Sequence, residues 1–105
     1  MNQVDSKILD AVSTFKNEAG VTALRVYRHD GNGVGMKMVI GGKSVIVEMK
    51  HYGDGALRCR MFEKGTAGKI NVTESGITDA GISRKLKALE YFVKRARLQI
   101  AIWDI

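Results

Sequence analysis

The side chains best suited to chemistry are cations set among aromatic rings. Between residues 21 and 62 they recur at period two: Arg25, Lys37, Lys50, Arg58 and Arg60, accompanied by Tyr27 and Phe62. Between residues 81 and 97 they recur at helical spacing, with Arg84, Lys87, Lys94 and Arg95 around Tyr91. Guanidinium and ammonium groups neutralise phosphates, and the rings between them offer faces on which bases stack. Both sets point first to nucleic acid, and second to an acidic protein as partner. Of the two, Arg84, Lys87, Tyr91, Lys94 and Arg95 form the stronger candidate, because their charge is denser and less compensated. Lys50, Arg58 and Arg60 form the second surface.

Other reactive residue types read as structure. His29, Asp30, His51 and Asp54 fall at turns that a meander brings to one rim. Strands one and three are roughly 9–10 Å apart, however, and the spacing fits no zinc motif, so these are hairpin-turn residues. Gly42-Lys43-Ser44 lacks the glycine five positions earlier that a phosphate-binding loop needs, since Lys37 stands there. Cys59 reads as a small buried apolar residue, and the four methionines at 36, 38, 49 and 61 as core filling. No nucleophile–histidine or paired-carboxylate arrangement stands out. The expectation is a non-catalytic protein with no cofactor and no metal.

Two short stretches resemble known families. Gly81-Ile82-Ser83-Arg84-Lys85-Leu86-Lys87-Ala88 resembles the start of the second helix of double-stranded RNA-binding domains, which implies phosphate contacts from that helix. A fourth strand and the lack of that family's other loop motifs depart from the pattern. Val45-Ile46-Val47-Glu48-Met49-Lys50 resembles the Glu-x-Lys strand of the PD-(D/E)xK nucleases, which implies a metal on Glu48 and water activation by Lys50. That chemistry needs an Asp beside the Glu, and pairing across Gly41-Gly42 puts Gly35 there instead. A metal-dependent nuclease is therefore the third reading.

Composition sets the frame for these sites. The chain has 105 residues, 17 Lys and Arg against 11 Asp and Glu, and a net charge of +6. Residues 21–62 hold seven basic and three acidic side chains, and residues 81–97 hold six against Glu90 alone. Two segments thus carry the whole excess. A single cysteine excludes a disulfide scaffold, and no apolar run approaches the roughly 18 residues of a membrane span. The start MNQVDSKILD lacks the basic-then-apolar order of a leader. One cytoplasmic domain over residues 1–105, without a membrane, is expected.

The positioning elements follow from periodicity. Val4, Ile8, Ala11, Val12 and Phe15 recur at helical spacing and predict a helix over 5–18, closed by Gly20. Residues 21–28, 34–40, 43–50 and 56–62 alternate and predict four strands, joined by turns rich in Gly, Asn and Asp. Ile70-Asn71-Val72 could add an edge. A second helix starts at Thr78 or Asp79, with Ile82, Leu86, Leu89, Val93 and Ala96 as its buried stripe. From about residue 98 the tail alternates and reads as a possible C-terminal strand. Were it helical, Leu98, Ile102 and Ile105 would form an exposed apolar stripe suited to a homodimer. Alternation puts Leu24, Val26, Met36, Met38, Ile40, Val45, Val47, Met49, Leu57, Cys59 and Met61 on one buried face. The expected fold is α+β: an antiparallel four-stranded meander with two helices on one face, in the order α-β-β-β-β-α.

Overall fold

The computed structural model describes residues 3–29, 32–52, 56–65, 70–74 and 81–105. Its elements are α1 (Gln3–Lys16), β1 (Val21–His29), β2 (Asn32–Ile40), β3 (Lys43–His51), β4 (Leu57–Glu63), β5 (Ile70–Glu74) and α2 (Gly81–Trp103). The strands form one antiparallel sheet in chain order, β1-β2-β3-β4-β5. The expected meander is therefore present as β1–β4, and the Ile70 segment extends it as a fifth strand.

Each element follows from its residues. α1 buries Val4, Ile8, Ala11, Val12 and Phe15, and it carries Asp5 in its first turn and Lys16 in its last, both favourable to the helix dipole. Gly41 and Gly42, at φ 56° and 77°, make the left-handed two-residue turn that matches the twist of β2 and β3. Met36, Met38, Ile40, Val45, Val47, Met49, Leu57, Cys59 and Met61 face the helices and form the core with α1 and with Leu89, Phe92, Ala96, Ile100 and Trp103 of α2. Phe15 and Phe92 meet edge to face at 6.4 Å between ring centres, joining the two helices.

Three expectations are corrected. First, Leu24 and Val26 do not join the core: they are 61% and 43% exposed. A bulge between Ala23 and Arg25 shifts the alternation at Leu24. A helix is about 10 Å wide and strands lie about 4.8 Å apart, so two helices cover about four strands, and β1 beyond Val21, which packs against the core, is left over. Second, the buried stripe of α2 is rotated by about one residue. It runs through Gly81, Lys85, Leu89, Phe92, Ala96, Ile100 and Trp103, while Leu86 and Val93 are partly buried and Ile82 is exposed. Third, residues 98–103 are helix, not strand. Ile100 and Trp103 extend that same stripe into the core, and nothing breaks the helix before Asp104.

The seat of the helix end explains two glycines. A Cβ at Gly41 would run into the Trp103 carbonyl oxygen, and one at Gly20 into the Asp104 carboxylate. At the other rim, Asp5 of α1 and Lys85 of α2 both reach His51 at the end of β3. The two helices therefore run parallel, starting at one rim of the sheet and ending at the other. The suggested caps Thr78 and Asp79, and the turn residues Asp30 and Asp54, lie outside the described residues.

Candidate functional site

The face of the sheet turned away from the helices carries three cross-strand rows. Arg25, Lys37, Ile46 and Phe62 make the first, and Tyr27, Gly35, Glu48 and Arg60 the second. Gly33, Lys50 and Arg58 continue the third. Among the described residues, five cations thus share this face with one carboxylate, Glu48. Its partner is Arg60, whose Nε donates to Glu48 Oε1.

The remaining cations are opposed to one another. Arg25 pairs directly with Lys37, and Lys50 directly with Arg58. Like charges facing each other across a strand pair are destabilising. The aromatics on and beside this face lie under guanidinium groups: Arg25 is 5.6 Å from the Tyr27 ring centre, Arg60 4.8 Å from Phe62, and Arg58 5.4 Å from Tyr52. Such stacking holds each guanidinium plane near the sheet. The middle row is the most enclosed part. Glu48 is buried, and burial together with its nearby negative charge pushes the Tyr27 hydroxyl above its ordinary pKa, against Arg25 and Arg60, which pull it down. Glycine at 35 leaves the position between Tyr27 and Glu48 free of a side chain.

The register sets Gly35 opposite Glu48, as the turn at Gly41-Gly42 predicts. The Glu-x-Lys strand therefore has no acidic neighbour at that position. Among the described residues, no group of three His, Cys, Asp or Glu side chains could hold a metal ion. Cys59 is buried, and burial pushes its thiol up to about 12, so it is a protonated core residue at neutral pH.

The helix-borne set lies on the other side of the molecule. Arg84, Lys87, Tyr91, Lys94 and Arg95 are all exposed on α2, and Arg95 lies 5.7 Å from the Tyr91 ring centre. Acidic residues interleave with this set. Glu90 sits three residues after Lys87 and four before Lys94, and Arg97 donates to Glu18, in the turn after α1, at 2.8 Å. Between the helices, an open cleft of about 530 Å³ is rimmed by Lys7, Lys94 and Arg97 and by Asp10, Glu18 and Glu90. Its two signs balance.

One cluster has no counterpart in the sequence reading. Lys85 is only 4% exposed. Its Nζ donates to His51 Nε2 at 3.1 Å, and His51 Nδ1 then donates to Asp5 Oδ1 at 3.2 Å. An ammonium donor requires an unprotonated Nε2, so this network assigns the neutral tautomer with hydrogen on Nδ1. The chain ties α1, β3 and α2 at one rim and satisfies a buried ammonium. Lys85 is four residues before Leu89, on the apolar side of α2, and that spacing is the signal that could have exposed it.

No protein family, curated protein or solved structure matches this chain. The fold is α+β, and no helix among the described residues is long and apolar enough to cross a membrane.

Proposed function

We propose that the protein binds single-stranded nucleic acid, without catalysis, on the open face of its sheet. The observation that carries this reading is the direct opposition of Arg25 to Lys37 and of Lys50 to Arg58. Each pair destabilises the folded chain on its own, and a phosphate between its members converts repulsion into attraction. Arg60, braced between Glu48 and Phe62, and the rings of Tyr27 and Phe62 add stacking surface across about 14 Å, three strand spacings. Contacts of this kind read the backbone and the faces of bases rather than base edges.

The test is fluorescence anisotropy with single-stranded and duplex DNA and RNA at low salt. Single strands should bind more tightly than duplexes. With about four phosphates neutralised, log affinity should fall against log salt with a slope of about −3. Absence of binding to every one of these probes overturns the reading.

A second reading rests on the exposed row Arg84, Lys87, Tyr91, Lys94 and Arg95. Cations along a helix can follow the phosphates of a duplex, and the same row suits an acidic protein. Preference for duplex, or loss of binding on reversing Lys94 and Arg95 alone, supports this second surface instead.

A further inference from the structure

The outer surface of α2 changes character along its length. Its first half is cationic, whereas residues 98–103 carry no charge. Tyr91, Leu98 and Ile102 are 55%, 63% and 61% exposed, and Ile105 is fully exposed. These positions follow a strict spacing. Along α2, Arg84, Tyr91 and Leu98 recur every seven residues, Ile105 continues the count two residues past the helix end, and Ala88, Arg95 and Ile102 each follow four residues behind Arg84, Tyr91 or Leu98. A seven-residue repeat is what keeps one seam of a helix turned toward a second helix. This seam is not the core stripe, since α2 buries Leu89, Phe92, Ala96, Ile100 and Trp103 on its other side.

We propose that the seam seats a second copy of this chain, with α2 packed antiparallel on α2 about a two-fold axis at Leu98. In that register Leu98 meets Leu98, and Tyr91 meets Ile105 of the second copy. Ile102 meets the aliphatic stem of Lys94. The charges select this arrangement. Parallel packing would set Arg84, Lys87 and Arg95 each beside its own copy, whereas the antiparallel overlap leaves Arg84 and Lys87 outside. It also supplies something α2 lacks. The last turn of α2 has no basic residue, and the register brings Lys94 and Arg95 of the second copy beside its carbonyl end, where partial negative charge accumulates. The exposed apolar strip covers on the order of a few hundred Å², the size at which such a patch marks an interaction site. A dimer built this way leaves both open sheet faces outward, so it is bivalent for any ligand of that face.

Sedimentation velocity on the full chain tests the proposal. A species of twice 11.5 kDa should appear as concentration rises toward about 1 mM. Leu98→Glu, an exposed substitution that leaves the circular dichroism unchanged, should weaken association at least about tenfold. Oxidation adds an independent reading of the register. Leu98→Cys should cross-link with itself, and Tyr91→Cys should cross-link with Ile105→Cys but not with itself. A chain that stays at 11.5 kDa throughout overturns the proposal. So does a Leu98→Glu chain that dimerises like the original, which would move the contact to the free edge of β1 or elsewhere, and so does self-cross-linking of Tyr91→Cys. Single-strand affinity per protomer should survive Leu98→Glu, so failure of the dimer is distinguishable from failure of the sheet-face reading.

Discussion

The open sheet face and the outer side of α2 are both basic, both hold aromatics under guanidinium groups, and they differ in how their charges are compensated. On α2, Glu90 lies between Lys87 and Lys94, and Glu18 takes up Arg97. Among the described residues of the sheet face only Glu48 intervenes, and it is engaged by Arg60, while Arg25 faces Lys37 and Lys50 faces Arg58. The helix therefore keeps its cations at little energetic penalty, as a solvated surface does. The sheet sets two pairs of like charges directly opposite each other, an arrangement that works against pairing of the strands. Charge density along the sequence favours the helix; the disposition of charge in space favours the sheet. Uncompensated arrangement is more informative than net charge, because it marks where stability has been traded for something else.

The largest effect that could break this comparison is on binding. Reversing Lys50 and Arg58 together to Glu keeps a like-charge pair, so the fold is little changed, yet it should weaken single-strand affinity on the order of a hundredfold at low salt. Reversing Lys87 and Lys94 should change it about threefold or less, and anisotropy titrations that rank the two pairs the other way would overturn the assignment. A middle-sized effect is on stability. Lys50→Thr relieves one opposition and should raise unfolding free energy by about 0.5 kcal/mol in urea melts, whereas Lys87→Thr should lower it by a similar amount through Glu90. Equal signs for both would remove the distinction between the surfaces. The smallest effect concerns pH. The folded pKa of Tyr27 is raised by burial and Glu48, so its contribution is complete below the ordinary tyrosine value and is lost as pH rises through the folded one. Solvent screening keeps this small. Melting temperature should fall by about 1–2 °C above pH 10, and less in Tyr27→Phe.

How much of this was legible in the sequence depends on which forces decide each feature. Alternation and turn chemistry are local, so β2, β3 and β4 and the facing of Gly35 with Glu48 follow directly from Gly41-Gly42 and the run of Met and Val residues. The α2 stripe and tail depend on what packs against them. Ile100 and Trp103 fit a strand pattern and a helix pattern alike, and their packing into the core beside the other buried residues of α2 decides between them. Leu24 and Val26 look like core residues because alternation carries no information about how many strands two helices can cover. The opposed cations were visible as residue types, yet their opposition required a register extending across β1, β2, β3 and β4. Lys85 enters the sequence only as one of six basic residues of its segment, because its partner, His51, lies 34 residues away.

The parallel course of α1 and α2 has a consequence for how the chain acquires its structure. The hairpins close over a few residues each, but Glu18 and Arg97 are 79 residues apart, and nothing in the helix layer can form across that gap cheaply. The sheet can assemble first, with α2 arriving last. During synthesis the apolar side of β2, β3 and β4 then waits, half covered by α1, until residues 81–103 have emerged. That interval, rather than the finished fold, is when this protein is most exposed to aggregation.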